Sequence, residues 1–578
     1  MDEPPSTEEV NIDYDFIIVG AGTAGCVLAN RLTENPKWKV LLIEAGHEEE
    51  EHMDVPMAVH HLKCSESDWF YYTQQNSRYC QSYEDYSCPV HAGKVMGGSS
   101  VLNYMIYTRG RDTDFDRWAE MGNKGWSYRD VLPYFQKVEN FTGRRPKKRH
   151  FGKNGRITLE YAPYRTELAE ELIEAVRKMD SQKTGHNTKV WAFPPLLTSS
   201  MGVRQSSNRG YIHPIAGRKN LFILKNASVT QVLINSKEMK AIGVQMEKVS
   251  DNYMYTWTAK IYAKKEVILS AGAIGTPKLL MLSGIGPKLH LDELGIKVKK
   301  NLDVGFNLMD HVGCVGIVLQ TDLKPIFNPD IIFTTGEAKK YMVTKGRSLL
   351  SIPGGIELIS LHHTETTRKS ADPNVAFIYM DASPYTDPSL SQEIGIDDEE
   401  YRHVFKELKE QQALMAIPLL LQPASRGRIL LSSRHFDGHL GIYPNYFEHE
   451  NDKVQLINAI KLFVNSSATL DLEDIDVDVQ KLAPESCGFV EHEPDAYWEC
   501  ILKELTFSMH DFCGTCKMGP KQDQNAVVNP KLQVYGVRNL RVVDASVIPV
   551  IPRGPIVGTV YMIAEKAADL IKESHRKS

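Results

Sequence analysis

A run of closely spaced glycines near the start of the chain has the residue types and spacing needed to bind a dinucleotide. It reads Gly20-Ala-Gly22-Thr23-Ala24-Gly25, and an acidic residue, Glu44, follows nineteen residues after Gly25. Gly20 suits a tight turn, Gly22 lets backbone N–H groups approach a diphosphate, and Gly25 allows a helix to pack closely on a strand. The Glu44 carboxylate can accept hydrogen bonds from a ribose diol, which disfavours a 2′-phosphate. The run therefore predicts nucleotide binding, with FAD or NAD favoured over NADP.

The elements that must position these residues are visible around them. An apolar run at residues 16–19 predicts a buried strand, and residues 24–32 are compatible with a helix whose N-terminus favours a diphosphate. A second apolar run, residues 40–43, ends at Glu44. Strand, turn, helix, second strand and acidic residue together favour a dinucleotide fold over a chance glycine turn.

Three later segments extend this predicted α/β domain. Gly97-Gly98-Ser99-Ser100 is a stretch whose backbone a ligand can approach closely. The alternating pattern of residues 220–272 predicts antiparallel strands that lead to a buried strand at 267–270. Residues 540–546 predict a strand that ends in Asp544, and residues 559–571 predict an amphipathic helix. Residues 313–505 carry no glycine fingerprint and are richer in aromatic residues, which suggests a second domain that shapes a substrate pocket.

The composition limits the kind of protein. The chain has 578 residues, 42% hydrophobic and 24% charged, so a soluble protein of two domains or one elaborated domain is expected. A net charge of −6 argues against a nucleic-acid partner, and the basic run at residues 144–150 is interpreted as a solvated loop. No apolar window predicts a membrane span, and the acidic, proline-containing start is unlike a signal peptide.

The nine cysteines suggest one disulfide and no metal site. Cys80 and Cys88 flank a polar loop in which a disulfide could close a small ring. Cys513 and Cys516 have CxxC spacing, but no second ligand pair suits zinc, so no metal is predicted. Three N-glycosylation sequons occur at about the chance frequency, so they leave secretion open.

The motifs and their order resemble those of the glucose–methanol–choline (GMC) flavoprotein oxidoreductases, and among these the arthropod glucose-dehydrogenase-like members. The matching segments run in family order from residue 14 to 572: GAGTAGCVLANRL with VLLIEAG, GKVMGGSSVLN, RDTDFDRWAEMGNKGWSYRDVLPYF, AGAIGTPKLLMLSGIGP, DVGFNLMDH, GTCKMGP, and LRVVDASVIP with MIAEKAADLI. The resemblance implies an α/β FAD-binding doubly wound (Rossmann-like) domain at residues 1–155, 200–312 and 505–578. It implies an α+β substrate domain with an antiparallel sheet at residues 156–199 and 313–504.

Carried over residue by residue, the resemblance implies FAD contacts along the whole cofactor. The diphosphate would lie against Gly20, Gly22, Thr23, Ala24 and Gly25, the adenosine ribose against Glu44 and Ala45, and adenine against the backbone of Val229. The flavin end would lie along Val95, Gly97, Gly98, Ser99, Ser100 and Asn103, with Asp544 and Ala545 near the ribityl chain. The helix N-terminus near Thr559 would stabilise negative charge on the flavin. Covalently flavinylated relatives have a histidine where this chain has Leu102, so non-covalent FAD is predicted.

The catalytic positions depart from the family pattern. Members place a histidine three residues before GTC, as in HPVGTCKMG, and a second histidine or asparagine in a later segment. These groups matter because hydride leaves a carbon only as its hydroxyl proton is taken. In this chain the first position is Asp511, with His510 one place earlier. The second position is Pro555, which can accept no proton, and Val557 likewise replaces an asparagine.

Three explanations remain open for this departure. A local bulge could swing His510 into the pocket and leave a one-histidine oxidase. Asp511 could act as the base for an activated alcohol, such as an aromatic carbinol or a cyanohydrin. Otherwise the fold binds FAD without oxidising alcohols, in a lyase, photochemical or binding role, and His510 is a packing residue.

The sequence favours oxidation among these explanations, because a bound flavin and an acceptable base can survive a changed arrangement. The expected protein is an FAD-dependent oxidoreductase that passes hydride from a CH–OH group of a small alcohol to flavin N5, helped by His510 or Asp511. A sugar, an aromatic alcohol or a cyanohydrin is the expected substrate, and oxygen or a quinone the expected electron acceptor. The resemblance also favours an extracellular, secreted protein.

Overall fold

The computed structural model describes most of the chain. It covers residues 6–7, 13–143, 151–178, 190–249 and 256–576, apart from 325, 328, 365–371, 382–387, 406–411, 468–471, 473–474, 483 and 491–492. The basic run at 144–150 lies outside the described residues. Within the described part, no helix is both long and apolar enough to cross a membrane.

A sheet of seven strands carries the glycine fingerprint. Strands Leu221–Leu224, Val40–Ile43 and Asp13–Val19 run parallel in that order, and Asp13–Val19 also pairs with Thr256–Leu269. Leu540–Val542 pairs in parallel with Thr256–Leu269 from its other side. The strand residues beside the fingerprint are apolar and fully buried, as expected for parallel strands covered on both faces.

The fourteen-residue strand Thr256–Leu269 pairs in two different ways in this sheet. Its second half forms the parallel core, while its first half pairs antiparallel with Lys240–Val249. Lys240–Val249 in turn pairs antiparallel with Ala227–Asn235. The predicted antiparallel strands thus lead directly into the predicted buried strand, which ends at Leu269 and not at Ser270.

A second, antiparallel sheet of eight strands forms the other half of the molecule. Ala413–Leu420 is buried along its whole length at the centre of this sheet. The strands follow the order Val477–Lys481, Ile317–Thr321, Ala413–Leu420, Val375–Asp381, Ile356–His362 and Val190–Phe193, and Val312–Cys314 joins Ala413–Leu420 to Thr506–Ser508. The predicted fold, a doubly wound α/β domain with an antiparallel substrate-domain sheet, is confirmed, whereas the residue boundaries of the two domains stay predictions.

The remaining elements surround these two sheets. The helices are Thr23–Leu32, Val59–Leu62, Ser99–Leu102, Asp112–Glu120, Tyr128–Val138, Glu167–Lys178, Gly272–Leu282, Lys288–Glu293, Pro329–Ile332, Thr335–Val343, Pro388–Ile394, Asp398–Phe405, Glu450–Ser467, Pro494–Glu504 and Val557–Ser574. The smaller sheets contain the strands Tyr71–Tyr72, Pro89–Val90, Glu139–Phe141, Ile157–Tyr161, Leu196–Ser200, Val203–Arg204, Ile285–Gly286, Lys300–Asn301, Phe306–Leu308, Gly427–Leu431 and Leu440–Tyr443.

The last helix, Val557–Ser574, is more deeply buried than the predicted amphipathic pattern suggests. Its residues from Gly558 to Glu565 are all buried. Glu565 would be costly there without partners, but it accepts hydrogen bonds from Arg31 at 2.7, 2.9 and 3.0 Å and one from the Tyr211 hydroxyl at 2.9 Å. This ion pair fixes the helix against Thr23–Leu32, so the two helix N-termini belong to one packed unit.

Two disulfides cross-link the substrate side of the molecule. Cys80 and Cys88 form the predicted bridge, with Cα atoms 5.6 Å apart. Cys487 and Cys500 form a second bridge that the sequence did not predict, with Cα atoms 5.8 Å apart. Cys513 and Cys516, the CxxC pair, are buried free thiols.

Candidate active site and cofactor cleft

One continuous cavity joins the glycine fingerprint to His510 and Asp511. Fifteen of the predicted site residues line it: Gly20, Gly22, Thr23, Ala24, Glu44, Ala45, Gly98, Ser99, Ser100, Asn103, Val229, Asp544, Ala545, His510 and Asp511. Four do not line it, namely Gly25, Val95, Gly97 and Thr559. The structure therefore brings most of the predicted residues to one cavity, and the other four stand behind its wall.

The three fingerprint glycines meet different physical demands. Gly20 has φ +97°, and a Cβ there would lie 2.5 Å from the Ser270 carbonyl oxygen. A Cβ on Gly25 would lie 1.9 Å from the Gly20 carbonyl oxygen, so Gly25 is required for packing and not for ligand contact. A Cβ on Gly22 would meet no protein atom closer than the Gly98 Cα, at 3.9 Å. Gly22 thus leaves open space on the cavity side, where a ligand can approach the backbone.

A second glycine pair packs directly against the first glycine turn. Gly97 and Gly98 have φ of +100° and +55°, and a Cβ on Gly98 would lie 2.7 Å from the Gly22 Cα. The Gly97 N–H donates to the Ala21 carbonyl at 2.8 Å, which ties the two glycine turns together. Val95 pairs with His47 in an isolated bridge behind this turn. Gly97 and Val95 therefore support the cavity wall from outside the cavity.

Two buried carboxyl groups organise the cleft through hydrogen bonds from backbone N–H groups and a threonine hydroxyl. Glu44 accepts the Ala21 N–H at 2.7 Å and the Gly46 N–H at 2.9 Å. Asp544 accepts the Gly272 N–H at 3.0 Å and the Thr276 hydroxyl at 2.6 Å. Burial raises the pKa of both groups, and these hydrogen bonds oppose it. A carboxylate has about four acceptor positions, so Glu44 keeps capacity for ribose hydroxyls.

The cleft fits a dinucleotide. Open space next to Gly22, two helix N-termini and a carboxyl group at the ribose position are what its diphosphate and ribose require. Ser270 lines the cavity, and its buried hydroxyl has no hydrogen-bond partner among the described residues. The buried hydroxyl of Thr559 also has none within the described part of the chain. Buried polar groups without a partner are rare in native proteins, and the Ser270 hydroxyl is free to bind a ligand in the cavity.

His510 lies at the opposite end of the cavity, after the strand Thr506–Ser508. Its φ of +58° is unusual for a residue with a side chain and turns the backbone sharply after the strand. The Ser508 hydroxyl oxygen accepts the His510 backbone N–H at 3.0 Å and lies 3.4 Å from the ring nitrogen Nδ1. Burial lowers the pKa of His510 well below its usual range, and the nearby His91 and Lys63 lower it further. The ring is therefore neutral at neutral pH.

Asp511 is part of a buried ion pair with His311. Its Oδ2 accepts from His311 Nδ1 at 2.8 Å, and its Oδ1 accepts from the Ile556 N–H at 3.3 Å. His311 Nε2 lies 3.1 Å from the carbonyl oxygens of Leu421 and Pro552, so both ring nitrogens must carry hydrogen to make these bonds. Burial alone would lower the pKa of His311, but the hydrogen bond to Asp511 outweighs it and the net pKa is raised.

The second expected catalytic position is Pro555, whose side chain offers no proton acceptor to the cavity. Pro555, Ile556 and Val557 all line the wall at this point. The Pro555 carbonyl accepts a hydrogen bond from the Thr108 hydroxyl at 3.2 Å. The proline is therefore a fixed apolar part of the wall that precedes the helix Val557–Ser574.

A polar cluster beside His510 contains residues that the sequence reasoning missed. Glu393 is completely enclosed, and Lys63, the Tyr104 hydroxyl and His60 Nδ1 all donate to its carboxylate, the last at 2.5 Å. Burial alone would raise the pKa of Glu393, but Lys63 and His60 bring it well below the usual range. Lys63, His91 and Tyr104 line the cavity. These residues come from separate segments, so no spacing motif could have identified them.

Aromatic side chains complete the wall near this cluster. Trp69 and Tyr71 stack on each other, with ring centroids 6.0 Å apart, and both line the cavity. Phe70, between them in sequence, stacks on His91 with centroids 5.5 Å apart. Phe512 lines the cavity from the segment that carries His510. The substrate end therefore combines a neutral histidine with an aromatic wall.

The doubly wound sheet with its glycine turns, and the histidine at the far end of the same cleft, define a nucleotide-dependent α/β enzyme with a separate substrate sheet. The GMC oxidoreductase sequence profiles match the chain at residues 14–313 and 423–564. The chain therefore belongs to the GMC oxidoreductase family.

Several known proteins are similar to this chain over nearly its whole length. The glucose dehydrogenase [FAD, quinone] of Drosophila pseudoobscura pseudoobscura is 34% identical, covering 98% of this chain and 88% of that protein. The ecdysone oxidase of Spodoptera littoralis is 32% identical, covering 97% and 92%. The structure of a formate oxidase variant from Aspergillus oryzae superimposes with a TM-score of 0.80 at 26% identity, covering 98% and 99%. The chain is accordingly an FAD-dependent oxidoreductase, and its family acts on alcohols or sugars with quinone or oxygen as acceptor.

Proposed function

We propose that this protein oxidises the CH–OH group of a small alcohol with His510 as the catalytic base. The observation that carries the proposal is the neutral His510 ring on the cavity wall, at the end of the cleft away from the fingerprint. Bound FAD supplies the two-electron acceptor for this chemistry. The role of His510 is to take the hydroxyl proton, for which a neutral histidine is well suited.

Asp511 is less suited to that role because it already serves as a counter-ion. If Asp511 took the substrate proton, the buried charge on His311 would lose its partner, which costs several kcal/mol. Asp511 also holds the Ile556 N–H, and His311 holds the Pro552 carbonyl. We therefore assign the Asp511–His311 pair to holding the segment that carries Pro555 in place.

The cofactor contacts proposed for FAD are those that the resemblance implied, with Gly25, Val95, Gly97 and Thr559 acting from behind the wall. The FAD is proposed to be non-covalent, because the residue at the attachment position is Leu102, whose hydrocarbon side chain lines the cavity and can form no bond to a flavin. Acid denaturation should release all flavin into the supernatant. Flavin that stays with the precipitated chain would contradict this part of the proposal.

The proposed substrate is a sugar, an aromatic carbinol or a cyanohydrin, with oxygen or a quinone as electron acceptor. The aromatic residues Trp69, Tyr71 and Phe512 support a substrate that presents a ring or another apolar face. The two disulfides suit an oxidising compartment, which supports the proposal of a secreted protein.

An anaerobic bleaching experiment tests the function. The FAD-loaded protein is mixed with sugars, polyols, aromatic carbinols and cyanohydrins, and loss of the flavin absorbance is followed by stopped flow. Bleaching by at least one alcohol is expected, and His510→Ala should slow it by about 10²–10⁴-fold while FAD remains bound. Bleaching of the wild type by none of them would favour the second candidate, an FAD-bound lyase, photochemical or binding protein, for which the apolar wall at Pro555 is the favouring observation.

A further inference from the structure

A second histidine, His91, lies against His510 although it comes from a distant segment. It follows the short strand Pro89–Val90, and its ring meets the His510 ring edge to face, with centroids 4.8 Å apart and planes at 78°. Its other face is covered by Phe70. His91 is 6% exposed, so its ring has little freedom to turn.

Both nitrogens of His91 face hydrogen-bond acceptors. Nδ1 lies 2.6 Å from Asp68 Oδ2, and Nε2 lies 3.1 Å from the Glu393 backbone carbonyl oxygen. Neither oxygen can donate when Asp68 is ionised, so both nitrogens must carry hydrogen, and the ring is then a cation.

Asp68 is held in the ionised form that this arrangement needs. It also accepts the backbone N–H groups of Ala92 at 2.9 Å, Phe70 at 3.1 Å and Cys64 at 3.1 Å. Burial alone would raise the pKa of Asp68, but the hydrogen bond from His91 and these backbone bonds outweigh it, so the pKa lies below its usual value. The Asp68–His91 pair is therefore a fixed, buried ion pair whose cationic member contacts His510.

We infer that His91, anchored by Asp68, is a positioning residue for His510: it fixes the orientation of the His510 ring and keeps that ring unprotonated. The positive charge of His91 disfavours a second positive charge on the ring that it contacts. Lys63 acts in the same direction, and the Glu393 carboxylate opposes both. The inference rests on the proposed function, in which the unprotonated His510 is the active form.

This arrangement gives the site two histidines, neither of them at the expected positions 511 and 555. Their functions differ, because the nitrogens of His91 are committed to Asp68 and Glu393 while His510 faces the cavity. His510 therefore takes the substrate proton, and His91 keeps the His510 ring oriented and unprotonated so that it can do so.

The pH profile of flavin reduction tests the inference, because a merely structural role would not move it. His91→Phe keeps an aromatic ring against His510 but removes the charge and both hydrogen bonds. Protonation of His510 should then become easier, so the acid limb of the rate should move to higher pH by about one unit. Asp68→Asn keeps the shape of the anchor but removes the carboxylate that His91 Nδ1 bonds, so a smaller movement in the same direction is expected. His52→Phe is the matched control, since the His52 side chain is 60% exposed and pairs with Glu50 at the surface.

A measurement that needs no turnover separates this inference from the proposed function. In FAD-loaded protein labelled with ¹³C at histidine Cε1, the His510 signal can be assigned by its loss in His510→Gln. It should stay in the neutral-ring position over the stable pH range of the wild type, and it should titrate at higher pH in His91→Phe and Asp68→Asn. If no alcohol bleaches the wild type, the proposed function fails while this titration still decides whether His91 controls His510. An unchanged His510 titration in whichever of the two variants retains FAD and a native circular dichroism spectrum would overturn the inference.

Discussion

The two ends of the cavity are built in different ways. At the cofactor end, the backbone makes most of the wall: Gly20 and Gly98 have no room for a side chain, and Gly22 leaves open space on the cavity side. At the substrate end, side chains make the wall, and Lys63, His91, Tyr104 and His510 come from four separate segments. The cofactor end therefore depends on local backbone conformation, whereas the substrate end depends on ion pairs that hold distant segments together.

The largest expected effect comes from breaking such an ion pair at the substrate end. Asp511→Ala should lower the free energy of unfolding by about 3 kcal/mol, because it leaves the charge of His311 buried without a counter-ion. Urea unfolding of the FAD-loaded protein measures this loss. The double variant Asp511→Leu with His311→Phe is the control, since removing both charges should cost less than the sum of the single changes. An Asp511→Ala protein as stable as the wild type would show that the pair does not hold the site together.

The next effect concerns the cofactor end, where a single methyl group should separate binding from folding. Gly22→Ala places a Cβ in the open space of the cleft, 3.9 Å from the nearest protein atom, so the apoprotein should keep its melting temperature. FAD should bind at least about tenfold more weakly, because the methyl group occupies the space of the diphosphate. Titration of the apoprotein with FAD measures the affinity.

Two other glycines serve as controls for the Gly22→Ala variant. Gly25→Ala should impair folding as well as FAD binding, since its Cβ would lie 1.9 Å from a backbone oxygen. Gly217→Ala should change neither, because no atom lies within 4 Å of its added Cβ. Unchanged FAD affinity in Gly22→Ala would mean that the cofactor does not approach this turn.

A disulfide offers a test of how the substrate end is supported. The ring closed by Cys80 and Cys88 contacts the strand that leads to His510, through the Cys80 N–H to the Thr506 hydroxyl at 3.0 Å and the Tyr83 hydroxyl to the Thr506 carbonyl. Replacing both cysteines by serine should cost about 2–3 kcal/mol of stability for a loop of this length. We expect slower flavin reduction with nearly unchanged FAD affinity, measured on the same preparation. The matched control is the double serine variant of Cys487 and Cys500; an equal loss of rate there would point to general loosening.

The same contrast explains what the sequence could predict. Gly20, Gly22 and Glu44 lie in one continuous segment, and their spacing reflects the geometry of a single strand–turn–helix unit, so both the fold and the cofactor end were predictable. The positive φ of His510 was not, because it depends on hydrogen bonds from its segment to Ser508 and Asp310. The Asp68–His91 pair and the Lys63–Glu393 cluster were also missed, since their members are separated by 23 and 330 residues. Pairing of Cys487 with Cys500 likewise depends on tertiary contacts.

The smallest expected effect is a pH dependence of stability that comes from two buried carboxyl groups, neither of which lines the cavity. Burial raises the pKa of Glu49, behind the cofactor turn, and of Glu357, in the strand Ile356–His362, from 4.5 to about 7 in each case. A carboxyl group whose pKa is raised by folding stabilises the protein fully below pH 4.5, and this contribution is lost as the pH rises towards 7. The melting temperature of the wild type should therefore fall by about 1–2 °C per group between pH 5 and pH 8.

Glutamine variants assign this pH dependence to the two regions. Glu357 accepts the Thr166 N–H at 2.8 Å and hydroxyl at 2.7 Å, and Glu49 accepts the Ser206 hydroxyl at 2.6 Å, so glutamine keeps an acceptor oxygen at each position. Each of Glu49→Gln and Glu357→Gln should make the fall in melting temperature smaller. The effects of the two changes should add in the double variant, because the two groups lie in different parts of the molecule and share no partner among the described residues. A fall that persists unchanged in the double variant would place the titrating groups elsewhere. Flattening by only one variant would show that folding keeps just one of these two carboxyl groups protonated.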